Sequence, residues 1–265
     1  MQIEALRIFN DLKDRGYVLD VFIYSTMIHG LAGVGMIDDA NNLWSEMINK
    51  AIRPNDYTYI ALIYGFCKVG NFKQARRFYK EMCDQGYRET TQSYNVMIKG
   101  LCFHGRIDEA FELFKEMPQK GIVCDLDSYN IMIYGCCKEG RLADGQNLLK
   151  QLLAQGLKPS ILSYTSLIEK LCKTGDVQAA RHLWDDMLNR GLEPWDRTFD
   201  YFIVAWCAKG CVTEVVEWLV AMVNKKLKPK WETCEAVVQC IVQSNQFKDS
   251  LHVLSPIMKT GYVVQ

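Results

Sequence analysis

Cysteine is the residue type with the most capacity for chemistry in this sequence, occurring eleven times in 265 residues. Thiolates can bind zinc, attack electrophiles or pair as disulfides. Zinc needs ligands at set spacings. Here Cys136 and Cys137 are adjacent, Cys207 and Cys211 are separated by three residues, and no nearby histidine completes a tetrahedral set. The histidines, His29, His104, His182 and His252, are scattered, and no His-x-Glu precedes a Cys-x-x-Cys as zinc-dependent base deamination requires. The expectation is no metal site, no cofactor and no catalytic centre. A second pattern is cationic: Lys68, Lys138 and Lys173 hold one recurring place, with Lys209 one residue later. Such a column can hold phosphates along one edge, with affinity that falls with salt, or it can cap helix C-termini.

A repeat positions these residues. Tyr24, Tyr59, Tyr94, Tyr129, Tyr164 and Phe199 recur every thirty-five residues, as do Ile28, Ile63, Ile98, Ile133, Ile168, Ile203 and Val238. Gly35, Gly70, Gly105, Gly140, Gly175 and Gly210 form a third column. Starting from Val21, seven units run 21–55, 56–90, 91–125, 126–160, 161–195, 196–230 and 231–265 without insertion or deletion. Residues 1–20 fit the second half of a truncated leading unit, with Ala5, Phe9, Leu12 and Gly16 on columns held later by Ala75, Tyr79, Met82 and Gly86. Cys67, Cys102, Cys137, Cys172 and Cys207 are also a repeat column. Equivalent residues on stacked helices lie about 10 Å apart, too far for a disulfide, so this column is expected in the core. The Met47, Met82, Met117, Met187 and Met222 column, and the Trp44, Tyr79, Phe114 and Trp184 column, are expected there too.

Within a unit, Tyr94, Met97, Ile98 and Leu101 mark one face of a helix that stops near Gly105. Ala110, Leu113, Phe114 and Met117 mark a second helix, ended by Gly121. One such hairpin cannot bury both apolar faces, so neighbours must stack into an all-α superhelical solenoid of helix-turn-helix repeats. Pro54, Pro159, Pro194 and Pro229 punctuate the linkers between units. No apolar run reaches the length of a membrane helix. Met1 to Glu4 resembles neither a secretory signal nor a transit peptide, so the chain is expected to act where it is made unless its leader is missing. The formal net charge is zero and the pI about 6.9, so the chain offers a polyanion no general attraction, only local stripes of Lys and Arg.

The string from Ser93 to Gly105 resembles the first helix of a pentatricopeptide repeat, and Arg106 to Met117 its second. The thirty-five-residue step separates this pattern from the thirty-four-residue tetratricopeptide repeat. Unbroken units of this length are similar to the P class of the family, which implies a right-handed superhelix, single-stranded RNA as partner, and transcript processing, stability, splicing or translation. By resemblance alone the location is a plant mitochondrion, or alternatively a chloroplast, with protein partners in an organelle ribonucleoprotein. The longer and shorter units and deaminase extension of the editing class do not occur before Gln265.

The resemblance also implies that each unit reads one nucleotide through its fifth and last residues. An Asp in the last place only accepts hydrogen bonds and suits the imino N–H of uracil or guanine, whereas Asn or Ser can donate to adenine or cytosine. Carried over, Ser25 with Asn55 implies adenine, Asn95 with Asp125 uracil, and Asn130 with Ser160 cytosine. Thr165 with Trp195 keeps only a purine-type residue, while Ile60 with Thr90, Asp200 with Lys230 and Glu235 with Gln265 depart from the rule. The implied word is A, any, U, C, then a weak purine. Trp195 should face the RNA groove, where an indole can stack on a base or fill a gap. The family's apolar base clamp in the second place is met by Phe22, Tyr57 and Leu162, but Gln92, Asp127, Arg197 and Glu232 depart from it. A contrasting reading is a protein-interaction scaffold with weak RNA binding or none. The truncated leading unit should expose apolar surface through which two copies could pair.

Overall fold

The computed structural model describes residues 2–244, so the second half of the last unit, with Gln265 and His252, lies outside the described residues. Fourteen helices and no strands occur among the described residues. They are α1 (Gln2–Asp14), α2 (Val21–Val34), α3 (Ile37–Asn49), α4 (Asp56–Lys68), α5 (Phe72–Asp84), α6 (Thr91–Phe103), α7 (Ile107–Gln119) and α8 (Leu126–Lys138). There follow α9 (Leu142–Ala154), α10 (Ile161–Lys173), α11 (Val177–Asn189), α12 (Asp196–Ala208), α13 (Val212–Asn224) and α14 (Trp231–Ser244). None is long and apolar enough to cross a membrane. The chain forms two compact units, residues 1–135 and 136–265, dividing within α8.

In the first unit α2, α4 and α6 pack side by side as one layer, and each packs on the helix that follows it, α3, α5 and α7. The second unit repeats this scheme, with α10, α12 and α14 in one layer and α11 and α13 behind. Every even-numbered helix from α2 to α12 buries its Tyr or Phe and its Ile columns almost completely, which is the apolar stripe that the spacing predicts. Val238 on α14 departs from the column and is 46% exposed. The Met column is also core, with Met47, Met82, Met117, Met187 and Met222 at 0–1% exposure.

Three local devices set the hairpin geometry. Left-handed glycines end the helices, from φ 70° at Gly210 to φ 86° at Gly35. Ala51 and Lys226 hold the same conformation without being glycine, at φ 55° and 59°. The buried tyrosine of the first helix reaches the second: Tyr24 donates to Glu46 at 2.8 Å, Tyr94 to Glu116 at 2.9 Å, and Tyr164 to Asp186. A cation four residues later completes the latch, with Lys50–Glu46 at 2.9 Å, Lys120–Glu116 at 2.7 Å and Arg190–Asp186 at 3.1 Å. Partial burial pushes the Glu46 carboxyl up, but hydrogen bonds from Lys13, Lys50 and Tyr24 outweigh it and hold the group down at about 2. Glycine is used for close approach as well: a Cβ on Gly100 would stand 2.4 Å from that of Cys67, so α4 and α6 meet almost backbone to backbone.

Four members of the cysteine column lie in this packing, while Cys207 departs from the expectation and is only half-buried. Cys67 and Cys102 are 1% exposed and Cys137 and Cys172 6%, and all eleven cysteines are free thiols. Burial pushes Cys67, Cys137 and Cys172 up to about 12, which keeps them protonated and unreactive at neutral pH.

Candidate nucleic-acid interface

The last residue of a unit is also the N-cap of the next first helix, where the side chain satisfies an amide that the helix leaves unpaired. Asp20 accepts from the Ile23 amide at 3.0 Å, Asn55 from Thr58 at 2.9 Å, Asp125 from Ser128 at 2.8 Å and Ser160 from Ser163 at 3.4 Å. Trp195 sits at the N-cap of α12 but makes no side-chain cap bond. The residue three places on is a hydroxyl in six successive units, Thr58, Ser93, Ser128, Ser163, Thr198 and Thr233, each 0–2% exposed. This column was visible in the sequence as Ser or Thr every thirty-five residues, yet its role emerges only in the structure.

The hydroxyl links neighbouring repeats. Thr58 Oγ1 lies 2.6 Å from Ser25 Oγ, and Ser128 Oγ donates to Asn95 Oδ1 at 2.7 Å. The fifth residue of one unit is thereby pinned beneath the first turn of the next. Asn95 completes the arrangement by donating from Nδ2 to Asp125 Oδ1 at 3.2 Å. Asp125 Oδ1 thus receives Asn95 and the amide of Ser128, and at 2.9 Å it competes with Asn95 Oδ1 for the single hydroxyl proton of Ser128. Partial burial pushes this carboxyl up, but these hydrogen bonds outweigh it and hold it below the ordinary aspartate range. Asp125 is therefore an exposed, ionised acceptor whose second oxygen takes none of these bonds.

The other pairs differ. Ser25 and Asn55 are brought together, with Oγ 3.5 Å from Oδ1, but Ser25 is only 1% exposed. Thr165 is 2% exposed and its hydroxyl lies 3.4 Å from that of Thr198, not on Trp195. The Trp195 ring is instead covered in part by the Arg197 guanidinium, 5.1 Å from its centroid. Asn130 belongs to the first compact unit and is buried, whereas Ser160 belongs to the second and caps α10 with Ser163 as a capping box. Ile60 is buried. Asp200, 5% exposed, accepts from Thr233 Oγ1 at 2.6 Å and the Lys230 amide at 3.2 Å, while its Oδ2 has no protein partner.

The clamp residues lie on first helical turns with exposed side chains, Phe22 most of all at 72%. Tyr57 is stacked on His29 at 5.3 Å between centroids, and Leu162 stands open on α10. The lysines are more engaged than the sequence suggests. Lys68 donates to the carbonyl of Gly33 at the end of α2, a cation on a helix C-terminus. Lys173 is paired with Glu169 at 2.6 Å and sits 6.0 Å from the Tyr201 ring centroid. Lys138 is exposed at the end of α8.

Helical hairpins stacked in two layers at a constant sequence step define a helical-repeat solenoid. The PPR repeat family matches over residues 19–68, 59–102, 89–138, 127–173 and 159–203, and the chain belongs to that family. Its fold is similar to the crystal structure of the pentatricopeptide repeat protein PPR10 from maize, with a TM-score of 0.69 and 21% identity over 97% of this chain. The match takes in only 41% of the maize protein's length. PPR10 in complex with an 18-nucleotide psaJ RNA element matches at a TM-score of 0.60 and 22% identity, over 96% of this chain and 42% of that one. The PPR domain of Arabidopsis thaliana protein-only RNase P 1, in complex with tRNA, gives a TM-score of 0.57 at 17% identity, over 67% of this chain and 94% of the domain. No curated protein matches in sequence.

Proposed function

We propose that this chain binds single-stranded RNA sequence-selectively, one nucleotide per repeat, and acts by occupying a transcript rather than by chemistry of its own. The observation that carries the reading is the Asn95–Asp125–Ser128 network, which fixes an ionised acceptor at a repeat junction and leaves one carboxylate oxygen for the imino N–H of uracil. The RNA bound by the similar maize protein supports it. Transcript processing, stability, splicing or translation in a plant mitochondrion, or alternatively a chloroplast, is part of the proposal and rests on the resemblance to the P class. The test is fluorescence anisotropy against RNAs carrying A, any, U, C in a neutral background. The wild type should prefer that word, and Asn95→Ser should move the third base from U towards G. Unchanged preference in the variant would refute base reading by this pair.

The pairing of Lys173 with Glu169 and the capping role of Lys68 favour a second reading, a protein-interaction scaffold within an organelle ribonucleoprotein. It predicts partner binding that is insensitive to salt. The exposed Ile8, Tyr17 and Val18 on and after α1 support self-association at that end, which sedimentation across a concentration series would show.

A further inference from the structure

Within the second compact unit, the junction between unit 161–195 and unit 196–230 lacks both expected base readers. Thr165 is 2% exposed and its hydroxyl lies against that of Thr198, so it offers nothing to a base edge. Trp195 carries one indole N–H and no acceptor, and its side chain makes no bond to the helix it precedes. Its ring is 38% exposed, and the Arg197 guanidinium lies over it, 5.1 Å from the centroid. Arg197, in the first turn of α12, is itself exposed. A cation–π contact engages the charge of a guanidinium and commits its fork of N–H donors to no oxygen acceptor. The nearby acids do not claim that fork. Glu169 is paired with Lys173 at 2.6 Å. The Tyr201 hydroxyl interacts with both Glu169 and Arg197, but burial pushes it up to about 12, so at neutral pH it adds no negative charge beside Arg197. Asp196 accepts from the Arg197 amide at 2.7 Å, and no ion pair to the Arg197 guanidinium occurs among the described residues.

We infer that Arg197 determines the fifth nucleotide of the bound RNA, the one opposite unit 161–195, and selects guanine. The inference rests on the RNA reading for its ligand. It sharpens a weak purine into one base, and it moves the reader from the fifth and last residues of one unit to the second residue of the next. The nucleotide is that of unit 161–195 because Trp195, on which the guanidinium rests, is that unit's last residue. Unpaired bases in single-stranded RNA leave their outer edges open to such a contact. Guanine presents two adjacent acceptors there, O6 and N7, which a guanidinium fork meets with two parallel N–H bonds. Adenine sets an amino donor beside N7, cytosine presents an amino donor, and uracil offers O4 alone, so none of the three takes both bonds.

The test uses the full chain and fluorescence anisotropy against RNAs of the word A, any, U, C followed by each of the four bases. Guanine in the fifth place should bind about tenfold more tightly than any other base, the size of one bidentate contact. 7-Deazaguanine, which lacks the N7 acceptor, should lose most of that gain. Glutamine fits the N6 and N7 edge of adenine, so Arg197→Gln should move the preference from guanine to adenine, a reversal that lost packing on Trp195 cannot produce. Selection of U in the third place should be unchanged in the variant, which also shows that it folds. A guanine preference that survives Arg197→Gln overturns Arg197 as the reader. Equal binding of guanine and adenine by the wild type, both above the pyrimidines, overturns edge reading in favour of stacking on Trp195 alone. In either case, retained selection of U in the third place leaves the proposed function standing. Equal binding of every word by the wild type, or binding of none, overturns the proposed function and the role of Arg197 together.

Discussion

At the scale of single residues, the candidate interface depends on how each polar group is satisfied. Asn95 has its amide oriented from both ends, by Ser128 below and Asp125 beside it, so the pair is preorganised at no cost to binding. Asp200 shows the contrasting case. It is a buried carboxylate with one oxygen unpartnered, and burial pushes it above the ordinary aspartate value against the pull of Thr233 and Lys230. A raised acid binds its proton more tightly in the fold than in the unfolded chain, so its ionisation removes stability as pH rises from 3.8 through the raised value. Asp200→Asn should therefore stabilise the protein at pH 7 by about 1 kcal/mol, the lower end of the cost of an unsatisfied buried group. Urea melts should show that gain shrinking as pH is lowered towards 4. A constant difference at all pH values would mean that ionisation is not its source.

The helices bring a different kind of constraint, that of close approach. Gly30 and Gly100 occupy the same place in units 21–55 and 91–125, but nothing lies within 4 Å of a Cβ built on Gly30. Gly30→Ala should raise stability by about 0.5–1 kcal/mol through helix propensity alone. Gly100→Ala should lower it by about 1–3 kcal/mol, because a methyl group must be forced against Cys67. Opposite signs in thermal melts are the expected result, and equal effects would refute the packing described for α4 and α6. The tyrosine latch makes a second prediction. Glu46 is held down at about 2 against an ordinary 4.5, so its contribution is complete above that ordinary value and is lost as pH falls towards 2. Glu46→Gln should cost about 1 kcal/mol at pH 7 and cost progressively less between pH 4.5 and 2, as read by acid titration of the far-ultraviolet signal.

For the molecule as a whole, charge decides between the readings. A chain of zero net charge cannot attract RNA at long range. In the column of Lys68, Lys138 and Lys173, Lys173 is already paired and Lys68 already caps a helix. If Lys68, Lys138 and Lys173 all engage phosphate, the slope of log affinity against log salt should be about −2, at roughly 0.7 per phosphate for single strands. A steeper slope would require cations beyond this column. A flat one would favour the scaffold.

Much of this architecture was legible in sequence because a repeat multiplies a weak signal. One tyrosine before an apolar stripe says little, but Tyr24 through Phe199 at a constant step sets the register of every helix. The Glu169–Lys173 pair was also legible, being an i, i+4 spacing on one helix. Ser25 and Thr165 were not. Their burial arises when the next repeat lays Thr58 or Thr198 over them, a contact across thirty-three residues. Serine and threonine are common at helix starts for capping alone, so nothing in their type distinguishes a cap from a cap that also pins its neighbour. The sequence by itself determined the period, the helices and the residues offered at each junction. Only the stacking decided which of them stay open to a ligand, because the fifth and last residues of a unit meet through the translation between hairpins, which no single hairpin encodes.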